Sequence, residues 1–270
     1  MTPFRVLSWG CGLQSTALAA MSALGEIERV DAIIHVDLHW ERRRTAAMRD
    51  WYTRWLREQG MHVEIIDGGD IREQGARAHI HMPFWTSNGG PLQRQCTRHF
   101  KVRPAKRRVR ELIGFHPTKP PHPKPGAVEQ WIGFTLDEWE RIKGSGVKFI
   151  VNRWPLIERR LTRNDCADWL DAHGLPVPPK SGCIGCPYTS ASDWLEVREE
   201  EPESWDEAIA FDEQNRHNPL AERSGSTADE IYIWRGVEPL AEVDLEAAAR
   251  RERKAKQLPA IICNEAGCMT

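Results

Sequence analysis

Apolar positions along the chain fall into alternating short runs and longer, one-sided stretches. Phe4 to Trp9 is a β-leaning run. Gly10-Cys11-Gly12 follows it, and then the small and apolar stretch Ser15 to Met21, which predicts a strand, a tight loop and a helix. Val30 to Val36 is nearly all apolar, as suits a strand buried on both faces, and Asp37 falls at its end. Thr45 to Gln59 carries Met48, Trp51, Trp55 and Leu56 on one side of a helix, and His62 to Ile66 is a third strand. Strands alternating with helices at this spacing predict βαβ units and a parallel sheet.

The middle of the chain is less regular. Residues 83–95 are rich in Pro, Gly, Asn and Gln and are expected to be a loop. Residues 97–113 are expected to be helical and basic. The prolines at 117, 120, 121, 123 and 125 predict an extended connection over 114–127. A short strand is expected at Gln130 to Phe134, the start of a helix at 136–142 and another strand at Val147 to Val151. A helix is expected over Thr162 to His173, with Thr162 as N-cap and Gly174 just past its end. Residues 174–188 form a Pro/Gly/Cys loop. Beyond 190 the pattern is helical, acidic near 199–213 and basic near 244–256. The expected architecture is α/β: a twisted, mostly parallel sheet flanked by helices over residues 1–190, and a helical C-terminal extension with a cysteine-bearing tail over 191–270.

Composition narrows the functional classes. The 270 residues carry 37 Lys and Arg against 39 Asp and Glu, a net charge of −2, which excludes a uniformly basic nucleic-acid coat and an acidic disordered tail. No stretch approaches the roughly 18 apolar residues of a membrane span. The first residues show no basic stretch leading into an apolar one, so a cytoplasmic location is expected. The run from Arg94 to Arg110 is basic without a single Asp or Glu. It reads as a solvated helix face, as a wall for an anionic ligand, or as a track for nucleic-acid phosphates.

Two features carry candidate chemistry. A glycine turn between the first strand and first helix places free backbone N–H groups at a helix N-terminus, which suits a phosphate, and Ser15 adds a hydroxyl donor. A tight packing turn needs the same glycines. The seven cysteines, an odd number, point to reduced thiols. Cys183-Ile184-Gly185-Cys186 is a C-x-x-C in a glycine-bearing loop, able to turn two sulfurs to one metal, and spacing alone favours zinc. Cys166 falls on an amphipathic helix and is expected in the core, and Cys11 reads as a small buried residue.

The segment Gly12-Leu13-Gln14-Ser15-Thr16 resembles the S-G-G-x-D-S pyrophosphate loop of the PP-loop superfamily. Gly10 stands for its first serine, Cys11 for its first glycine and Gln14 for its aspartate. The G-x-Q form is similar to the PAPS and APS reductases, and the following serine to the ATP-cleaving branch. His35 to Glu41 resembles the family's D-T-G-x-x-x-P-E-T strand end through Asp37, which would otherwise read as a helix N-cap. Gly133 to Arg141 resembles G-x-R-R-E-x-S-x-x-R, with Thr135 and Leu136 in place of basic residues; here Glu138 pairing with Arg141 on a surface helix is the plain alternative. Pro155-Leu156 through Leu175-Pro176 adds a further stretch in family order, and the resemblance covers residues 4 to about 190. It implies an adenine nucleotide (ATP, APS or PAPS) held by Ser8, Gly10, Gly12, Gln14, Ser15, Thr16, Asp37, Gly133 and Arg141.

Gln95 to Pro104 resembles the C-C-x-x-R-K-V-x-P-L segment of APS reductases, with Cys96 kept and Thr97 at the second cysteine. It implies a 4Fe-4S cluster on Cys96, Cys183 and Cys186. The fourth position falls to a tail cysteine, Cys263 or Cys268, or stays open, or the site holds zinc instead. The tail resembles, in altered order, the E-C-G-x-H segment that bears a nucleophilic cysteine, which makes Cys268 the candidate nucleophile. The implied activity is sulfur reduction or sulfur transfer on an adenine nucleotide, by a sulfonucleotide reductase-like oxidoreductase or an ATP-pyrophosphatase-type sulfurtransferase. A thiol reductant or sulfur donor would be the partner. The alternatives are ATP-dependent thiolation of nucleic acid, and a non-catalytic nucleic-acid-binding module with structural zinc.

Overall fold

The computed structural model describes residues 2–73, 82–219 and 229–257. Five parallel strands form the central sheet: β1 (Phe4–Ser8), β2 (Ala32–Asp37), β3 (Val63–Asp67), β5 (Val128–Ile132) and β6 (Ile150–Arg153), in the order β3-β2-β1-β5-β6. Between β3 and β5 in the chain lies β4 (Trp85–Thr86), which pairs antiparallel with β7 (Ile231–Tyr232) in a separate two-stranded ribbon.

Side chains of alternate strand residues point to opposite faces of the sheet. Leu7, Ile33, Val63 and Trp131 therefore share one core with α1 (Leu13–Leu24), α2 (Arg43–Glu58) and α4 (Arg163–Ala172). Val6, Ala32, Ile34 and Val128 pack on the other face against α3 (Arg103–Leu112), which a π-helical turn, Thr97–Val102, precedes. A third core joins the end of β2 to the C-terminal helices α5 (Ala191–Glu200), α6 (Pro202–Asn215) and α7 (Leu245–Gln257). Trp40, Phe84, Trp194 and Phe211 are buried together there. The fold is the mostly parallel α/β sheet flanked by helices, with a helical C-terminal region, that the apolar pattern predicts.

Local chemistry explains the boundaries. The Thr162 side chain accepts from the Asp165 N–H while Asp165 reaches back to the Thr162 N–H, a capping box that starts α4 where the sequence places it. The strand expected from Val147 starts instead at Ile150. Ser145 Oγ accepts from the Val147 N–H at 3.2 Å and donates to the Ile150 carbonyl at 2.6 Å, which holds the intervening residues in a turn. The helix expected at 136–142 is a 3-10 segment, Leu136–Arg141, kinked at Glu138, whose φ of −122° is not helical; Asp137 and Glu138 bond to partners on other elements there. Among the described residues no helix is long and apolar enough to cross a membrane.

Candidate nucleotide and thiol site

From β1 the chain crosses one way to β2 and β3, then returns to place β5 on the other side of β1. The carboxyl ends of β1 and β5 therefore flank a topological switch point, where open α/β sheets bind ligands. A cavity of about 380 Å³ lies there, within the about 300–1,000 Å³ typical of small-ligand sites. Ser8, Gly10, Gly12, Gln14 and Ser15 form one wall, and Gly133 and Arg141 another. The side of the cavity toward α3 brings Lys101 and Lys106.

The loop between β1 and α1 is built to expose backbone. Gly12 caps α1 with no side-chain hydrogen bond, and no acidic residue occupies the first turn. The positive end of the helix dipole therefore faces the cavity with no carboxylate of its own first turn against it. Ser15 Oγ donates to the Gly12 carbonyl at 3.1 Å. A Cβ on Gly133 would lie 2.7 Å from Ser15 Cα and 2.8 Å from Ser15 N, so only glycine lets the end of β5 come this close to the helix N-terminus. Cys11 adopts a φ of 54°, the left-handed region, at the position where the PP-loop has glycine. Its side chain is buried, as expected, with Sγ 3.2 Å from His35 Nδ1.

Gln14 is locked rather than free. Its Nε2 donates to Glu138 at 2.9 Å and its Oε1 accepts from Arg163 at 2.9 Å. Arg141 forms the ion pair with Glu138 that is the plain alternative to a ligand role and lies 4.4 Å over the Phe134 ring, while still facing the cavity. Two predicted nucleotide residues stand outside the cavity wall. Thr16 is buried and accepts from Trp9 Nε1 at 3.0 Å. Asp37 ends β2 but turns its carboxylate to Arg49 at 2.7 Å and to the His39 N–H at 2.8 Å. It is not a helix N-cap, because Arg42 holds that position for α2.

Lys101, which lines this cavity, also brings its charge to Cys96 and Cys183. The segment 40–42 is zipped to the C-x-x-C loop. The Ile184 N–H donates to the Trp40 carbonyl at 3.0 Å, Glu41 bridges to Cys183, and the Arg42 N–H donates to the Gly182 carbonyl at 3.2 Å. Gly185 is required here, since a Cβ would meet the Trp40 ring at 2.2 Å. Burial pushes the Cys183 thiol up to about 12, against the lowering pull of Lys101, with Cys186, Glu41 and Cys96 adding to the rise. Burial likewise raises Cys186. The Tyr188 N–H and the charges of Arg94 and Arg42 act against it, and Cys96 acts with it. Cys96, Cys183 and Cys186 thus occupy one electrostatic neighbourhood. Burial works against the Lys101 ammonium, but negative charge on Cys183, Glu41, Cys11 and Cys96 outweighs it and the pKa rises.

Among the described residues no three His, Cys, Asp or Glu side chains converge on a point that would ligate one metal ion. The donor set itself suits a thiolate-ligated group: three soft sulfurs with Lys101 and Arg94 nearby to offset thiolate charge. Cys166 is in the core, as expected. Cys263 and Cys268 lie outside the described residues.

The sequence reading did not single out His35, Glu41 and Arg42, and it left Lys101 and Lys106 unassigned within the basic run. His35 Nδ1 lies 3.0 Å from the Trp9 carbonyl oxygen, which can only accept, so Nδ1 carries a proton. Its Nε2 lies 3.5 Å from Glu41 Oε2, and both atoms are buried with no hydrogen-bond partner among the described residues. A histidine inside an otherwise apolar strand was the available signal.

No family model matches the chain, and no curated protein matches it by sequence. Among solved structures it is similar to the phosphoadenylyl-sulfate (PAPS) reductase of Candida auris, determined as a phosphate complex. The identity is 15% over 66% of this chain and 76% of that one, with a TM-score of 0.44. It is also similar to the U34-tRNA thiolase NcsA of Methanococcus maripaludis, solved with its 4Fe-4S cluster. There the identity is 13% over 78% of this chain and 70% of that one, with a TM-score of 0.41.

Proposed function

We propose that this chain is a PP-loop-type enzyme that binds an adenine nucleotide in the switch-point cavity and carries out sulfur chemistry beside it. The observation that carries this reading is the position of Lys101. Its side chain lines the nucleotide cavity, and its charge acts on Cys96 and Cys183. One residue therefore belongs to both the candidate anion site and the candidate thiol site.

The roles follow from the geometry. The free N–H groups at the start of α1 and the Ser15 hydroxyl hold the phosphate or sulfate of the nucleotide. Gly10 and Gly133 let backbone approach that anion without a side chain between. Lys101, Lys106 and Arg141 neutralise it, and Arg141 must exchange its pairing with Glu138 for the ligand. The buried His35, with its proton on Nδ1, fixes the floor of the cavity through the Trp9 carbonyl. Cys96, Cys183 and Cys186 would hold an iron–sulfur group, which supplies a site for binding and activating a sulfur species. The tail thiols Cys263 and Cys268 are proposed as a further ligand and as the nucleophile, respectively.

The test is anaerobic purification with iron, zinc and sulfide analysis, followed by titration with ATP, APS and PAPS. Iron with sulfide and binding of one of the three supports the reading, and the preferred nucleotide separates reduction from ATP-dependent sulfur transfer. Ser15→Ala should weaken nucleotide binding at least tenfold, the about 1.5–3 kcal/mol of a hydrogen bond to a charged group, and leave iron content unchanged. Cys186→Ala should do the reverse. A colourless protein with one zinc and no nucleotide binding would make the chain a binding module instead.

A further inference from the structure

Three consecutive arginines open α2, and their environments differ. Arg43 pairs with Glu203 at 2.7 Å and with Glu207 at 3.0 Å, and Arg44 pairs with Glu196 at 3.2 Å and with Glu200. These two tie α2 to the acidic helices α5 and α6. Arg42 points inward and is 5% exposed. Among the described residues its buried Nε has no hydrogen-bond partner and no carboxylate pairs with it. A guanidinium taken out of water costs free energy unless a negative charge compensates it. The bonds from residues 40–42 to 182–184 fix Arg42 beside the C-x-x-C turn, where its charge acts on Cys186.

We propose that Arg42 is a positioning residue whose buried guanidinium is the counter-charge for an anionic, thiolate-ligated iron–sulfur group on Cys96, Cys183 and Cys186. This rests on the reading of the thiol site given above. The charge that the Arg42 guanidinium faces, and the partner its Nε lacks among the described residues, is then the bound group itself. The cation raises the group's reduction potential, because adding an electron adds negative charge beside a fixed positive one. It also helps retain the group.

The test compares full-length wild type, Arg42→Met and Arg42→Lys, each prepared anaerobically and also stripped with chelator. Three readouts are iron and sulfide per chain, the midpoint potential in a dithionite titration, and the melting temperature with and without metal. Arg42→Met is expected to melt no lower than wild type when stripped. When loaded, it is expected to hold less iron and to have a midpoint lower by at least 59 mV, a tenfold shift for one electron. Arg42→Lys, which keeps the charge, should stay near wild type. An Arg42→Met protein that is equally destabilised in both forms, or that fails to fold when stripped, overturns the proposal, since the arginine would then be holding the protein scaffold. An unchanged midpoint in loaded Arg42→Met also overturns it, while leaving the iron–sulfur reading intact. Wild type without iron removes that reading and this inference together.

Discussion

Single residues decide how close the backbone can come to a ligand. Gly133 has no room for a methyl group because the nearest atoms are Ser15 backbone, which cannot swing aside. Gly133→Ala should therefore push β5 away from α1, cost about 1–3 kcal/mol of stability by overpacking, and weaken nucleotide binding at least tenfold. Urea denaturation and nucleotide titration would check both effects, and a neutral result would mean the loop yields more readily than its contacts imply. Cys11 shows the opposite economy. It accepts a left-handed φ of 54° so that its sulfur is buried against His35. The sequence marked Cys11 as the departure from the glycine pattern. It could not show that the backbone keeps the glycine-like conformation.

Elements are held in place by pairs that join one to another. Arg108 of α3 bonds Glu64 of β3 at 2.5 Å and 2.8 Å, which fastens the basic helix to the sheet edge. That hydrogen bond holds the Glu64 carboxyl below its ordinary 4.5. Since the folded value is depressed, the pair's stabilisation is complete above the unfolded carboxylate pKa. It is lost as pH falls through the lower folded value. Stability measured from pH 6 downward should fall more steeply in wild type than in Glu64→Gln, and parallel curves would show that the pair contributes nothing. The basic run thus proves heterogeneous. Arg108 braces the fold, Arg110 binds the carbonyls of His116 and Lys119, and Lys101 and Lys106 face the cavity. Charge along a sequence does not reveal this division, because it depends on what each face of the helix meets.

At the scale of the molecule, the candidate nucleotide and thiol sites are neighbours because β2 ends between them. His35 faces the cavity from that strand, and the residues just beyond it, 40–42, carry the C-x-x-C loop. Lys101 spans the two. Lys101→Met should weaken nucleotide binding by about 1.5–3 kcal/mol, the range for a hydrogen bond to a charged group. In the same protein, stripped of metal, it should slow alkylation of Cys183, because burial raises that thiol and the lysine charge opposes the rise. Loss of only one of the two responses would show that the sites do not share this residue. The C-terminal helices complete the arrangement by packing Phe211 against Trp40, the residue on which Gly185 rests, in the core that also buries Trp194.

Periodicity and glycine placement, read from the sequence by itself, determined the five strands of the parallel sheet to within a few residues, the helices α1 to α4, the switch from strand to helix at the first glycine loop, and the capped start of α4. These depend on local propensity and on burial of one face, which a short window of residues contains. The motifs also located Ser15, Gly133, Arg141 and the C-x-x-C pair. Only the tertiary structure decided that Asp37 turns to Arg49, that Thr16 supports Trp9, and that Gln14 is held between Glu138 and Arg163. It also brought Trp85 to Tyr232 and left the Arg42 Nε buried with no hydrogen-bond partner among the described residues. Each of these depends on groups far apart in the chain, whose approach is set by the order of strands in the sheet and the packing of the third core, and no local pattern encodes that approach.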